Sequence, residues 1–201
     1  MIMEIKFDED RYRDDMIFMV LQAKDALGRL PRINEDLLDK EYNMEKDICE
    51  IYQPTLDDLW FRQSMMADPE TMSYNHAWGG IIQFPENDWK DWYDYWITNH
   101  EHHRYYRYLK NAADQFVGEI AYHYDEKRRI YVADVIIHAP CRGNGYGGRG
   151  LDLLCAAAKE NGVTVLYDDI AIDNPAVEMF LKHGFREEYH TDEIIMLKKE
   201  L

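Results

Sequence analysis

Five glycines, Gly143, Gly145, Gly147, Gly148 and Gly150, crowd one end of the stretch VADVIIHAPCRGNGYGGRGLDLL, Val132 to Leu154. Glycine adopts φ > 0 and lets backbone or ligand approach closely, at an entropic cost. Between an apolar run and a helix-like one, such a cluster serves as loop, bulge or phosphate cradle. Gly143, Gly145 and Gly147 can turn N–H groups toward one point, and a helix N-terminus adds partial positive charge there, so a pyrophosphate fits. Gly145, Gly147 and Gly150 match the GxGxxG dinucleotide string, but that fingerprint needs a parallel βαβ unit, and the strands before it read as an antiparallel meander. A Walker loop needs Lys and then Ser or Thr, and no lysine follows.

Carboxylates form the second chemical set. Asp134 interrupts YVADVII and Glu119 interrupts FVGEIAY, runs otherwise suited to buried strands, where an unpaired charge is costly. Burial raises a carboxyl pKa and makes it a better base near neutrality, so Asp134 is the first candidate for a general base and Glu119 the second. Asp168 and Asp169 end a central strand, where clefts commonly lie. With a formal net charge of −16, they favour a cationic acceptor as substrate. The same field repels nucleic acid and anionic membranes, so neither is expected as a partner. His100, His102 and His103 lack ligand spacing on one face, and no metal is expected. Cys141 could be a nucleophile, but no paired base can be identified for it.

These residues must be held by a chain of 201 residues, 46% hydrophobic, enough for one cored domain and an appendage. Three cysteines without metal spacing suit a reducing, cytoplasmic setting, and neither a signal peptide nor a membrane-length apolar run is read. Helical spacing covers residues 10–27, stopped by Gly28 and Pro31, and Asn34 could cap a second short helix. DICEIYQP reads as a strand, and Thr55 caps a helix through Leu59 and Met65. Trp89, Trp92, Tyr93 and Trp96 give one aromatic helix face, packed on the core or walling a cleft. YYRYLK, QFVGEIAYHY and RIYVADVIIH read as antiparallel strands. After the glycines come a helix (Leu151, Leu154, Cys155, Ala158), the strand VTVLYDDIAI, the helix PAVEMFLKH and two final strands. The order predicts an α+β sheet whose central strand feeds the glycine loop.

Arg142 to Gly147, RGNGYG, resembles the acyl-CoA pyrophosphate loop of the GNAT N-acyltransferase superfamily. It has an arginine followed three and five positions later by glycines. DNPAVEMFLKHGF, ending in Gly184-Phe185, resembles that superfamily's second signature. The resemblance covers roughly Cys49 to Leu201. It implies a GNAT-like, mostly antiparallel sheet with splayed central strands and flanking helices, in a domain of residues 48–201. Residues 1–47 would be a helical extension, a cap on the cleft or an interface arm, and such an arm allows a homodimer. The implied co-substrate is acetyl-CoA. Val135, Ile136 and Ile137 would offer backbone groups to pantetheine, and Arg142, Gly143, Asn144, Gly145, Tyr146, Gly147 and Gly148 would cradle the pyrophosphate. Asn174 and Phe180 would be further cofactor contacts. Phe180 stands where relatives often carry a tyrosine as general acid, and a phenyl ring donates no proton. The implied reaction is direct attack by a primary amine on acetyl-CoA, with Asp134 ordering water toward the amine. The alternative is a CoA-binding or regulatory domain with little or no catalysis.

Overall fold

Tyrosine-rich β strands make the centre of the structure, a computed structural model describing residues 49–100 and 103–201. The helices expected over residues 10–27 and after Asn34 lie outside the described residues. Strand β1 (Glu50–Tyr52) leads through a 3-10 turn (Leu56–Asp58) into helix α1 (Leu59–Ala67). A long 3-10 segment (Thr71–Trp78), which no sequence pattern announces, precedes α2 (Glu86–Tyr93), and α2 ends in a π-type turn (Asp94–Thr98). Strands β2 (Arg104–Lys110), β3 (Phe116–Asp125) and β4 (Ile130–Ile137) form the expected antiparallel meander. Its turns are closed by their own side chains. The Asn111 carboxamide accepts from the N–H groups of Ala113 and Gln115, and Asp125 accepts from those of Lys127 and Arg128.

Helix α3 (Tyr146–Glu160), β5 (Val165–Ala171), α4 (Ala176–Lys182), β6 (Arg186–His190) and β7 (Ile194–Glu200) complete the chain. The sheet order is β1-β2-β3-β4-β5-β7-β6, with only β4 and β5 parallel. The mixed, mostly antiparallel sheet and its flanking helices agree with the expected fold class.

Strand alternation sends successive side chains to opposite faces, and each face finds its own helices. Leu109, Ile120, Tyr122 and Ala133 pack with Leu151, Leu154, Cys155 and Ala158 of α3. Tyr106, Tyr108, Ala121 and Ile136 pack with Leu59, Met65 and Met66 of α1. Three fully buried tyrosines keep their hydroxyls paired: Tyr106 donates to Glu119, Tyr108 donates to the Asp58 carbonyl, and Tyr122 accepts from Asn161. The aromatic face of α2 serves both expected roles. Trp89, Trp92, Tyr93 and Trp96 are half-buried against the second core, and Trp92 and Trp96 also face a cleft.

Gly118 is where β3 and β4 approach too closely for any side chain. A Cβ there would overlap the Ile136 carbonyl oxygen and sit 2.8 Å from the Ile137 Cδ1. Backbone in the middle of a sheet cannot step aside. Gly118→Ala is expected to destabilise the fold by about 3 kcal/mol, read as a lowered urea midpoint with unchanged slope.

Candidate active site

The β4–β5 ladder pairs Tyr131 with Leu166 and Val132 with Tyr167, then ends. From Ala133 onward β4 has strand β3 on one side and open space on the other, while β5 stays paired with β7 along its whole length. The splay expected for these strands is present. It opens a cleft of about 1250 Å³ lined by β4, β5, α1, α2, the 3-10 segment and the start of α3.

The glycines divide into two kinds. Gly143 has φ 82° with nothing near its Cβ position, and Gly145, with φ 79°, is the N-cap of α3. An L-residue in that conformation costs roughly 1–2 kcal/mol. Gly147, Gly148 and Gly150 instead lie inside the helix, not in a loop. A Cβ on each would collide with Met179, His183 and Leu109 in turn, so these glycines let α3 pack against α4 and the sheet. The stretch expected as a cradle is therefore part loop, residues 142–145, and part the first turn of α3.

The Arg142 guanidinium donates to the carbonyls of Ile137 (3.2 Å), Glu70 (3.1 Å) and Thr71 (2.6 Å). Buried Thr71 adds a second tie, accepting from the Ala139 N–H and donating to Asp68. Arg142 thus braces the loop against the 3-10 segment. The cation beside the loop is Arg149, which donates to the Asn144 carbonyl, while the Asn144 side chain donates to the carbonyls of Cys141 and Arg142. Tyr146 opens α3 and faces the cleft.

The carboxylates separate just as clearly. Glu119 is buried with both oxygens occupied, one by Arg62 and the other by the Tyr106 hydroxyl. Arg62 itself lies under aromatic rings, 4.8 Å from the Trp92 centroid and 5.4 Å from that of Phe84. Burial pulls the guanidinium pKa down, but Glu119 and Tyr106 more than offset this and hold it above its usual value. Each Glu119 oxygen thus already accepts a hydrogen bond from a buried partner. Asp134, expected to be buried, is about half exposed, 3.7 Å from His123. Its strand neighbour on the far side is missing because β5 has turned away. The carboxylate that burial does disturb is Asp168, pushed well above the usual range by desolvation and by Asp134 and Asp169 nearby. Asp169 pairs with Arg128 at 3.2 Å.

The remaining expectations fall on either side of the cleft wall. Val135, Ile136 and Ile137 stand on the open stretch of β4 and line the cleft. Phe180 lines it too, but its ring is buried against Phe185 in the core, 5.0 Å between centroids. The Asn174 side-chain Oδ1 accepts from the Ala176 N–H, so that side chain shapes the start of α4. Burial pushes the Cys141 thiol up, the reverse of an activated nucleophile. Among the described residues no cluster of three ligating side chains could hold a metal ion, and no helix is long and apolar enough to cross a membrane.

Arg62, Tyr106, Tyr74 and His123 had not been singled out from the sequence. Arg62 carried a signal: it sits among Leu59, Phe61, Met65 and Met66, a charge on the buried stripe of α1, as Glu119 is on β3. Two such interruptions on facing elements are the mark of a buried pair.

A sheet parted beside a glycine-capped helix is the architecture of an acyltransferase that takes its acyl group from coenzyme A. The chain belongs to the acetyltransferase (GNAT) family, which it matches over residues 47–185. No curated protein matches it in sequence. Its fold is similar to that of a Vibrio cholerae spermidine N-acetyltransferase solved with CoA and spermine, at 18% identity and TM-score 0.62 over 76% of this chain and 95% of that one. Salmonella typhimurium yncA, solved with its cofactor acetyl-CoA, is 14% identical, TM-score 0.62, over 76% and 94%. An N-acetyltransferase of Staphylococcus aureus Mu50 is 16% identical, TM-score 0.61, over 76% and 98%.

Removing one partner of a buried ion pair leaves the other charge uncompensated. Glu119→Gln is expected to cost about 3–5 kcal/mol of stability while leaving the pH dependence of kcat/KM unmoved. An altered acid limb without loss of stability would return Glu119 to the role of base.

Proposed function

We propose that the protein transfers the acetyl group of acetyl-CoA directly to a primary amine of a small cationic acceptor. The observation that carries this reading is the splay, with an unpaired β4 edge leading to a glycine-capped helix N-terminus. The edge at Ala133–Ile137 offers N–H and C=O groups to an extended amide chain such as pantetheine, in the manner of an added strand. The loop 142–145 and the first turn of α3 offer donors and the positive helix end to a pyrophosphate. Val135, Ile136, Ile137, Gly143, Asn144, Gly145, Tyr146, Gly147 and Gly148 make up this half of the site, with Arg149 supplying charge. Acetyl-CoA is therefore the co-substrate the cleft suits.

An ammonium has no lone pair, so the acceptor must lose a proton before its nitrogen attacks the thioester carbon. Asp134 and Asp168 flank the opening between β4 and β5. Asp168 is the stronger base because burial and its acidic neighbours raise its proton affinity; Asp134, open to solvent, passes the proton outward. The C–N bond forms, the C–S bond breaks, and the electron pair leaves on sulfur. Thiols ionise near neutral pH, so departure as thiolate is feasible without an acid. Phe180 accordingly need not donate. Burial also keeps the phenols of Tyr74 and Tyr146 protonated, so a proton for sulfur is at hand in the cleft wall.

Acetyl-CoA is expected to raise the melting temperature of the wild type but hardly that of Gly145→Val, whose backbone cannot keep φ 79°. Equal shifts in both would move the cofactor elsewhere.

Asp168 gives a second test whose sign is fixed. A carboxyl whose folded pKa lies above its unfolded one, about 3.9, favours the native state while protonated. That contribution is complete below the unfolded pKa and is lost as pH rises through the folded value. Asp168→Asn should therefore melt roughly 2–4 °C higher than wild type at mildly alkaline pH, a gain that shrinks on acidification, while kcat/KM falls and its acid limb flattens. Unchanged kinetics would leave Asp168 structural.

A further inference from the structure

The acceptor half of the cleft lies under α1, α2 and the 3-10 segment, and its walls are not those of a polycation site. Among the described residues six carboxylates line the cleft; three pair with arginine or lysine and two face a histidine. Glu119 has Arg62, Asp169 has Arg128, Asp134 faces His123, Asp173 faces His76 at 3.5 Å, and Glu178 faces Lys182 at 3.4 Å. Asp168 alone forms no ion pair among the described residues, since the nearby Arg128 is held by Asp125 and Asp169. Asp168 stands at the parting of the strands. The cleft wall under α1 and α2 is apolar: Trp92 and Trp96 stack at 5.9 Å, Met66 also lines it, and Trp78 and Ile82 remain 48% and 44% exposed. Side chains of that size left facing a cavity mark a surface that an apolar ligand covers.

We propose that the acceptor is a monoamine carried on an apolar or aromatic body, its single ammonium on Asp168 and its body against Trp78, Ile82, Trp92 and Trp96. This rests on the acetyl-transfer reading and narrows it. A second ammonium at the far end of the same molecule would meet the apolar side chains of Met66, Trp78 and Ile82, and burying it there unpaired is costly. Amphipathic monoamines satisfy both the charge and the wall.

The test compares hexylamine with hexamethylenediamine, equal in length and differing in one terminal cation, alongside spermidine and ethanolamine. Turnover is read as thiol release from acetyl-CoA. Hexylamine is expected to exceed hexamethylenediamine in kcat/KM by at least about tenfold. Trp78→Ala, at a half-exposed site, should raise KM for hexylamine roughly tenfold and leave that for ethanolamine unchanged. If hexamethylenediamine or spermidine turns over as well as hexylamine, or if Trp78→Ala affects neither KM, the acceptor assignment is overturned and acetyl transfer stands. If no amine releases thiol, the transfer reading falls and this one with it.

Discussion

The end of the β4–β5 ladder after Val132 and Tyr167 is the constraint on which the rest of the molecule depends. Two strands in a sheet rarely forgo hydrogen bonds, because unpaired backbone groups buried from water are costly. Here the loss is tolerable for two reasons. Strand β5 keeps a full partner in β7, from Val165–Glu200 to Ala171–Ile194, so its order does not depend on β4. The groups released on β4 face an open cleft, where water or an extended ligand satisfies them. At the opening Asp134 of β4 lies near enough to Asp168 of β5 to raise its pKa. The opening, the exposed edge and the carboxylate at its apex have one origin.

Held open at one side, the sheet needs rigid support at the other. Arg62 and Glu119 supply it by joining α1 to the centre of β3, with Tyr106 as third member. Such a pair need not add net stability over an apolar replacement, because desolvating two ions is costly. It does fix α1 in one register on the sheet. Arg142 acts similarly farther along, tying the end of β4 to the carbonyls of Glu70 and Thr71. Two arginines thereby set the distance between the glycine cradle and the aromatic wall, the two surfaces that a bisubstrate reaction must bring together.

That division explains how much could be read in advance. The meander, the last two helices and the two final strands were legible because their periods of 2 and 3.6 are local properties of the chain. The turn before α3 was legible because φ > 0 demands glycine at Gly143 and Gly145. What failed depended on partners distant in sequence. Nothing near Arg142 in sequence announced that its guanidinium reaches carbonyls about seventy residues upstream. Gly147, Gly148 and Gly150 looked like loop, but their missing Cβ atoms accommodate Met179, His183 and Leu109. Asp134 was placed in a buried strand, which holds for its neighbours Val132 and Ala133 but not at the splay. Residue type announces what a group can do, and topology decides what it is near.

At first sight a formal charge of −16 forbids an anionic co-substrate. It does not, because the two quantities act over different distances. At physiological ionic strength exposed charges are screened within about 8 Å, so the net charge slows approach more than it weakens a seated ligand. At the cradle the local terms are positive: the α3 N-terminus, backbone N–H groups and Arg149. Fixed donors beside a low-dielectric wall act at contact, where screening is least. The acidic surplus sits instead at Asp134, Asp168 and Asp169, on the strands that part, so one cleft presents opposite polarity at its two ends. On the proposed acetyl-transfer reading, that polarity would draw an anionic co-substrate and a cationic acceptor to opposite ends of the cleft.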